Sequence, residues 1–333
     1  MATVYHRDQP GAPNAFSTAP YAQAQFANLK AVLIGCLVTG YGNFPAAGWE
    51  LIDEGANYLI LRNGSHSGYV GLTWYSGGAI RIWLSETFTG VDASGVLQGL
   101  GRKTGTSANN ALAHTIGLTY FAYTTGSGAW YCVADEKTFV FGWVSSHANV
   151  LFSDAVPTNY PVLLYVGEDS SGNFIAVGGQ LSNVVNGSTI GYFGARGSDS
   201  VAGFTALRNP STGLLVDTDA IVPLMLGIST PTTSTNPSDN GTVGFVVRDV
   251  QLGKAAWYAG GAYGGELRGI APVLTLFNIR FNSLASVALG FASPMSIRQA
   301  NTPIDIGDTY TYFLKSCSIY SSSFMVTDNP GYW

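Results

Sequence analysis

Only one segment of this chain carries apolar residues at helical spacing. Between Tyr21 and Thr39, the residues Phe26, Leu29, Val32 and Leu33, then Cys36 and Leu37, recur at intervals of three and four. Gly40 follows as a stop signal. A lone helix with one apolar face must bury that face against something else, and the rest of the chain reads as strands. The expected fold class is therefore α+β: predominantly antiparallel β-sheets in β-sandwich-like modules, with one N-terminal amphipathic helix packed on the first sheet.

The strand signals are local and repeated. In Ala79 to Glu86, the residues Ile80, Ile82 and Leu84 alternate with Arg81, Trp83 and Ser85, the period of a half-buried strand. Gly68 to Tyr75 precedes it across Ser76-Gly77-Gly78 and predicts a hairpin. Gly48 to Ile52 and Asn57 to Gly64 read as strands, the second ending in an Asn-Gly turn signal. Residues 89–112 are rich in Gly, Ser, Thr and Asn and read as loop. Thr119 to Thr124, Trp130 to Ala134 and Thr138 to Ser145 predict three strands, the last two joined by a tight turn at Asp135-Glu136-Lys137. Pro161 to Gly167 and Asn173 to Gly178 predict a further hairpin. Later strands are expected at Gly241 to Val250, Val273 to Asn282, Asp308 to Ser316 and Ser323 to Thr327. GWELIDEGANYLILRN and AWYCVADEKTFVFGWV share a shape, a Trp-containing strand, a polar turn and an apolar strand, which would suit a duplicated element. Two modules are expected: residues 1–180, with the arm, the helix and a β-rich unit, and residues 181–333, β-rich with a Thr/Pro/Ser-rich loop at 230–241.

Charge is sparse. Asp, Glu, Lys and Arg make up 11% of the chain, against roughly 25% in an average soluble protein. Net charge is −5 and the longest basic run is Arg102-Lys103, so the footprint of a nucleic-acid binder is missing. Mean hydropathy is +0.19. A surface this poor in charge points to assembly, because a free monomer ordinarily keeps a charged skin. The longest apolar run, Ala31 to Val38, is too short to span a bilayer, and the N-terminus lacks the apolar core of a signal peptide. Cys36, Cys132 and Cys317 lie far apart with no metal-type spacing, and are expected as three buried free thiols in a chain made in a reducing cytoplasm.

The residues offer little for catalysis. None of His6, His66, His114 and His147 lies in a GxSxG context, and His66 in the loop Asn63 to Gly68 reads as surface decoration. The candidate carboxylates are Glu86 and the pairs Asp53-Glu54, Asp135-Glu136 and Glu168-Asp169, and the three pairs fall at apparent turns, where acids are solvated. A glycosidase would need two of them facing each other across a cleft. Gly95 to Thr104 resembles a phosphate loop only superficially, since Arg102 breaks the required step. No enzyme activity, cofactor or metal is expected. The remaining candidate surface is aromatic: Trp49, Trp74, Trp83, Trp130 and Trp143 could together stack on sugars or anchor a protein partner.

Three segments carry a resemblance. LKAVLIGCLVTGYGNFPAAGWELI, through Gly40, Tyr41, Gly42, Ala46, Ala47, Gly48 and Trp49, resembles the opening of tail-tip and baseplate proteins of tailed bacteriophages, notably Mu-like transposable phages with flexible, siphovirus-type tails. AWYCVADEKTFVFGW is similar to their Trp-strand, acidic turn and aromatic strand. GGELRGIAPVL followed by IDIGDTYTYFLKS is similar to their late segment. The resemblance implies a virion structural protein of the tail tip or baseplate, made in the host cytoplasm and assembled with other tail proteins, with host attachment as a further role. It implies a homo-oligomer, for which the rotational symmetry of tail tips suits a trimer. It carries no catalytic residue. The rival readings are a receptor-binding protein for a host surface glycan or pilus and, more remotely, a cell-surface glycan hydrolase; a secreted bacterial β protein lacks a signal peptide.

Overall fold

A computed structural model describes residues 1–13, 23–75, 79–102, 115–117, 129–144, 162–178, 204–215, 222–224, 250–252, 256–259, 262–275, 304–305, 309–314 and 323–333. The chain opens with β1 (Thr3–His6) and α1 (Gln23–Ile34), which ends in a π-helical turn, Gly35–Thr39. There follow β2 (Glu50–Gly55), β3 (Tyr58–Arg62), β4 (Tyr69–Tyr75), β5 (Ala79–Ser85), β6 (Gly90–Val91), β7 (Leu97–Gln98) and β8 (Thr115–Gly117). Next are β9 (Ala129–Ala134), β10 (Thr138–Val144), β11 (Val162–Glu168), β12 (Phe174–Gly178) and β13 (Phe204–Ala206). The remainder comprises β14 (Val222–Leu224), β15 (Val250–Leu252), β16 (Ala256–Ala259), β17 (Ala262–Glu266), β18 (Ile270–Thr275), β19 (Ile304–Asp305), β20 (Tyr310–Leu314) and β21 (Ser323–Thr327). The expected strand at Thr119 to Thr124 and the 230–241 loop lie outside the described residues, as does most of Gly241 to Val250.

The described strands form antiparallel sheets. One runs β2-β3-β4-β5-β8, a second β1-β9-β10-β11-β12-β13, and a small hairpin pairs β6 with β7. Later strands form a three-stranded sheet, β14-β16-β17, and a five-stranded sheet, β15-β18-β21-β20-β19. β13 is the last strand of the second sheet and pairs with β12, as Ile175 opposite Ala206 and Val177 opposite Phe204.

The six-stranded sheet is buried on both faces. One face gives Trp130, Cys132, Ala134, Phe139, Phe141, Leu164 and Val166 to a core shared with α1 and with Leu59, Leu61, Val70, Leu72, Ile80, Ile82 and Leu84 of the first sheet. Its other face gives Tyr131, Val133, Val140, Tyr165 and Ile175 to a second core that contains Trp257, Leu267, Ile270 and Val326. That is why β9 (AWYCVA) and β11 (VLLYVGE) are almost continuously apolar, whereas β5 alternates. Gly142 is placed by the same packing: it lies opposite Tyr131, and a Cβ there would sit 2.0 Å from the tyrosine ring.

α1 buries the stripe its periodicity predicts. Phe26, Val32, Leu33, Cys36 and Leu37 are fully buried and Leu29 nearly so. Each large apolar side chain so buried contributes roughly 1.5–3 kcal/mol. The π turn leaves carbonyls for the following loop: Cys36 O accepts from Ala47 N, and Leu37 O accepts from Gly48 N and Trp49 N at 3.1 and 2.9 Å. Gly40 ends the helix with φ +71°, a conformation a side chain would strain.

Two expectations are corrected here. Asp53 and Glu54 lie within β2, beside a bulge between Leu51 and Asp53, with the turn falling after Gly55. The 89–112 stretch is not all loop. The β6–β7 hairpin sits over the outer face of the first sheet, where fully buried Leu97 packs against the position of Gly71.

Candidate functional site

The five tryptophans do not make one surface. Trp49 is 3% exposed, its ring meeting Phe139 edge-on at 5.1 Å and its Nε1 donating to Asp135 O at 2.9 Å. Trp130 is fully buried. Trp74 is half-buried on the inner face of β4, 6.3 Å from Phe26, whereas Trp83, also half-buried, lies on the outer face of β5 beneath the Arg102 guanidinium. Alternation along a strand puts these two on opposite sides of the same sheet. Trp143 of β10 lies opposite Trp130 of β9, and its side chain lies outside the described residues. The physical reason for the correction is the core between the six-stranded sheet, α1 and the first sheet, which takes in both Trp49 and Trp130.

The acidic turns are a second correction. Glu136 is exposed, but three of these carboxylates are not solvated: Glu168 is 7% and Asp169 2% exposed, and the Asp135 side chain is 13% exposed. Each is held by a separate set of donors. Asp135 accepts from Lys137 N and Thr138 N at 2.9 Å on Oδ1, the ordinary pattern of an acidic turn. Arg268, from the segment between β17 and β18, then closes on it: Nη1 donates to Oδ1 at 3.2 Å and to Thr138 Oγ1 at 3.1 Å, and Nη2 donates to Oδ2 at 2.5 Å. The Arg268 guanidinium also lies 5.4 Å from the Trp333 ring centre.

Asp169 organises the β11–β12 turn. Its Oδ1 accepts from Ser171 N and Asn173 N at 2.8 Å, and its Oδ2 accepts from Asn173 Nδ2 at 2.9 Å and from Trp257 Nε1 at 2.5 Å. Burial pushes the Asp169 carboxyl above its ordinary value, and the Asn173, Trp257 and Ser171 donors pull it partly back. The Glu168 backbone carbonyl accepts from Thr138 Oγ1 at 2.6 Å and from the Tyr165 hydroxyl at 2.7 Å. Its carboxylate accepts from Ser65 Oγ and lies 3.6 Å from Lys137 Nζ.

The Asn63 to Gly68 loop completes the junction. Fully buried Asn63 donates through Nδ2 to Ser65 Oγ, Ser67 Oγ and Lys137 O, and Gly64 N donates to Glu136 O at 2.7 Å. A Cβ at Gly64 would lie 2.5 Å from Gly48 O. His66, the one non-glycine residue at positive φ (61°) among the described residues, stays exposed on the outer side, 3.0 Å from Glu50.

Beside this junction lies a groove of about 270 Å³. Lys137, Glu168, Asp169, Glu266 and Arg268 line it, with Tyr332 and Trp333 as its aromatic wall. Sequence reasoning placed Asp135, Glu168 and Asp169 at turns and missed their common neighbour Arg268, which is 133 residues from Asp135. No local pattern announces such a pairing. Among the described residues no group of three His, Cys, Asp or Glu side chains is arranged to hold a metal ion, and no helix is long and apolar enough to cross a membrane. Comparison with family models, curated proteins and solved structures finds no match.

Proposed function

We propose that this chain is a structural component of a bacteriophage tail tip or baseplate, built of β-sandwich-like modules and assembled as a homo-oligomer with other tail proteins. The observation that carries the reading is where its few charges go. Asp135, Glu168, Asp169 and Arg268 are spent inside, fastening turns from three sheets to one another. A chain with 11% charged residues that commits several of them internally has few left to keep its outer faces apart from neighbours. Leu100 and Leu214, 57% and 67% exposed, stand on neighbouring turns where Gly101 meets Leu215, and offer an apolar point of contact. The resemblance of the Gly40 to Trp49, 129–143, 264–274 and 304–316 segments to tail-tip proteins names the assembly.

The reading calls for an interface of more than about 2,000 Å² with partner chains. Light scattering on the purified chain and antibody labelling of assembled particles test it. A multimer, and label at the tail tip, are expected. A stable monomer that binds no tail protein and is missing from particles would overturn it.

A second reading, recognition of a host surface glycan, is favoured by the groove alone, which sets Tyr332 and Trp333 beside Lys137 and Glu168. Binding of sugar panels that is lost in Lys137→Ala and Tyr332→Phe would favour it over a purely structural role.

A further inference from the structure

The six-stranded sheet ends at β1, which among the described strands pairs with β9 alone. A sheet edge is a row of backbone N–H and C=O groups that another strand can pair with. In an antiparallel pair, alternate residues turn both backbone groups toward the neighbour. Arg7 N, just past β1, donates to Trp130 O at 3.3 Å, so Thr3, Tyr5 and Arg7 face β9 while Val4 and His6 face outward. The strand reads Thr-Val-Tyr-His, with no Lys, Pro or bulge to blunt its edge. β2, at the edge of the first sheet, is guarded in the ordinary way, by Glu50, Asp53 and Glu54 and by its bulge between Leu51 and Asp53.

Gln9 covers what β1 leaves open. The chain turns back after the strand, and Gln9 N donates to His6 O at 3.1 Å. Gln9 Nε2 donates to Val4 O at 2.9 Å, and Gln9 Oε1 accepts from His6 N at 3.0 Å. One residue thus supplies the two donors and the acceptor that a neighbouring strand would bring. Its amide is held in turn: the Tyr41 hydroxyl donates to Oε1 at 2.6 Å. Tyr41 sits on a tight turn closed with Phe44 by backbone bonds of 3.1 and 2.9 Å. That turn lies so close to the Gln9 loop that a Cβ at Gly42 would sit 2.4 Å from Pro10 O.

We propose that Gln9, oriented by Tyr41, keeps the β1 edge from pairing with β1 of a second copy of this chain. The edge is self-complementary. Two β1 strands can meet antiparallel about a two-fold axis at Tyr5, with Val4 of each opposite His6 of the other. In that pairing His6 N donates to Val4 O of the second copy, and Val4 O and His6 O accept from its His6 N and Val4 N. Those bonds replace the three that Gln9 makes, one for one. Thr3 to His6 carries no acid, Lys or Arg to repel its own copy. Closing this edge leaves the faces and the other edges of the sheets for assembly.

The test compares the parent with Gln9→Ala, each as the full chain, by light scattering and by fluorescence anisotropy of a dye-labelled peptide spanning residues 2–7. Gln9→Ala should exceed the parent's mass in a concentration-dependent way. It should also bind the peptide on the order of tenfold more tightly than the parent does. Unlabelled peptide should reverse the association. The His6 amide should exchange slowly in the parent, fast in dilute Gln9→Ala, and slowly again once peptide is added. Gln9→Glu keeps the acceptor for His6 N and Tyr41 but loses the donor to Val4 O. It should capture the peptide as well, and it decides the question if Gln9→Ala loses its near-UV circular dichroism. A purely structural role for Gln9 would lower the melting temperature without peptide capture. Equal peptide binding by parent and variants, folded variants of parent mass that capture none, or association that protects amides away from β1 would each overturn the proposal. Sizes are read against the parent, so the outcome does not depend on the parent's own assembly state.

Discussion

Replacing Arg268 with Met should destabilise the chain by about 3 kcal/mol. The side chains of the Arg268–Asp135 pair are 12% and 13% exposed, so water does not replace what is lost. Asp135 Oδ1 keeps two backbone donors after the substitution, Lys137 N and Thr138 N. Its Oδ2 loses the donor it has from Arg268 Nη2 at 2.5 Å. A lost charge-assisted hydrogen bond costs about 1.5–3 kcal/mol, and breaking a buried ion pair from one side costs about 3–5 kcal/mol. The retained backbone donors place the expected value near the overlap of these ranges. Loss of the Arg268–Trp333 contact adds roughly 0.5–1 kcal/mol. Urea unfolding, followed by tryptophan fluorescence, measures the change. A double-mutant cycle with Asp135→Asn separates the pair from the rest, and a coupling of about 2 kcal/mol is expected. A loss under about 1 kcal/mol, with no coupling, is what an exposed pair would give. That result would refute the claim that this charge is structural and inward.

Three further outcomes follow from the same structure. Asp169 has its folded value raised above the unfolded one, so the folded state holds the proton more tightly; Asp169 therefore favours folding more as pH falls through that raised value, and less as pH rises through it. Urea midpoints across a pH series, compared with Asp169→Asn, should show this slope in the parent and not in the variant. Trp257→Phe removes the indole donor to Asp169 and should cost about 1.5–3 kcal/mol in the same assay, with the Asp169 slope moving to higher pH. Gly142→Ala forces a methyl onto the Tyr131 ring and should cost about 1–3 kcal/mol in thermal unfolding, while an alanine at Gly172, where a Cβ meets nothing within 4 Å, should cost less despite its φ of +83°.

What the sequence determined by itself was local. The stripe Phe26, Leu29, Val32, Leu33, Cys36 and Leu37 encoded the helix and its buried face, because helical periodicity is a property of neighbouring residues. The Ile80, Ile82 and Leu84 alternation encoded which side of β5 turns inward for the same reason. The hairpins at 69–85, 129–144 and 162–178 were legible from turn residues between apolar runs. Tertiary structure alone decided what those elements meet. A tryptophan reads the same whether its strand lies at a surface or in a covered sheet, so Trp49 and Trp130 read as contact residues although both lie in the core between the two large sheets. An acidic turn likewise reads as solvated until a distant cation is folded onto it, as Arg268 is onto Asp135. Pairings between residues about a hundred apart depend on how sheets stack, and a one-dimensional pattern holds no record of that distance.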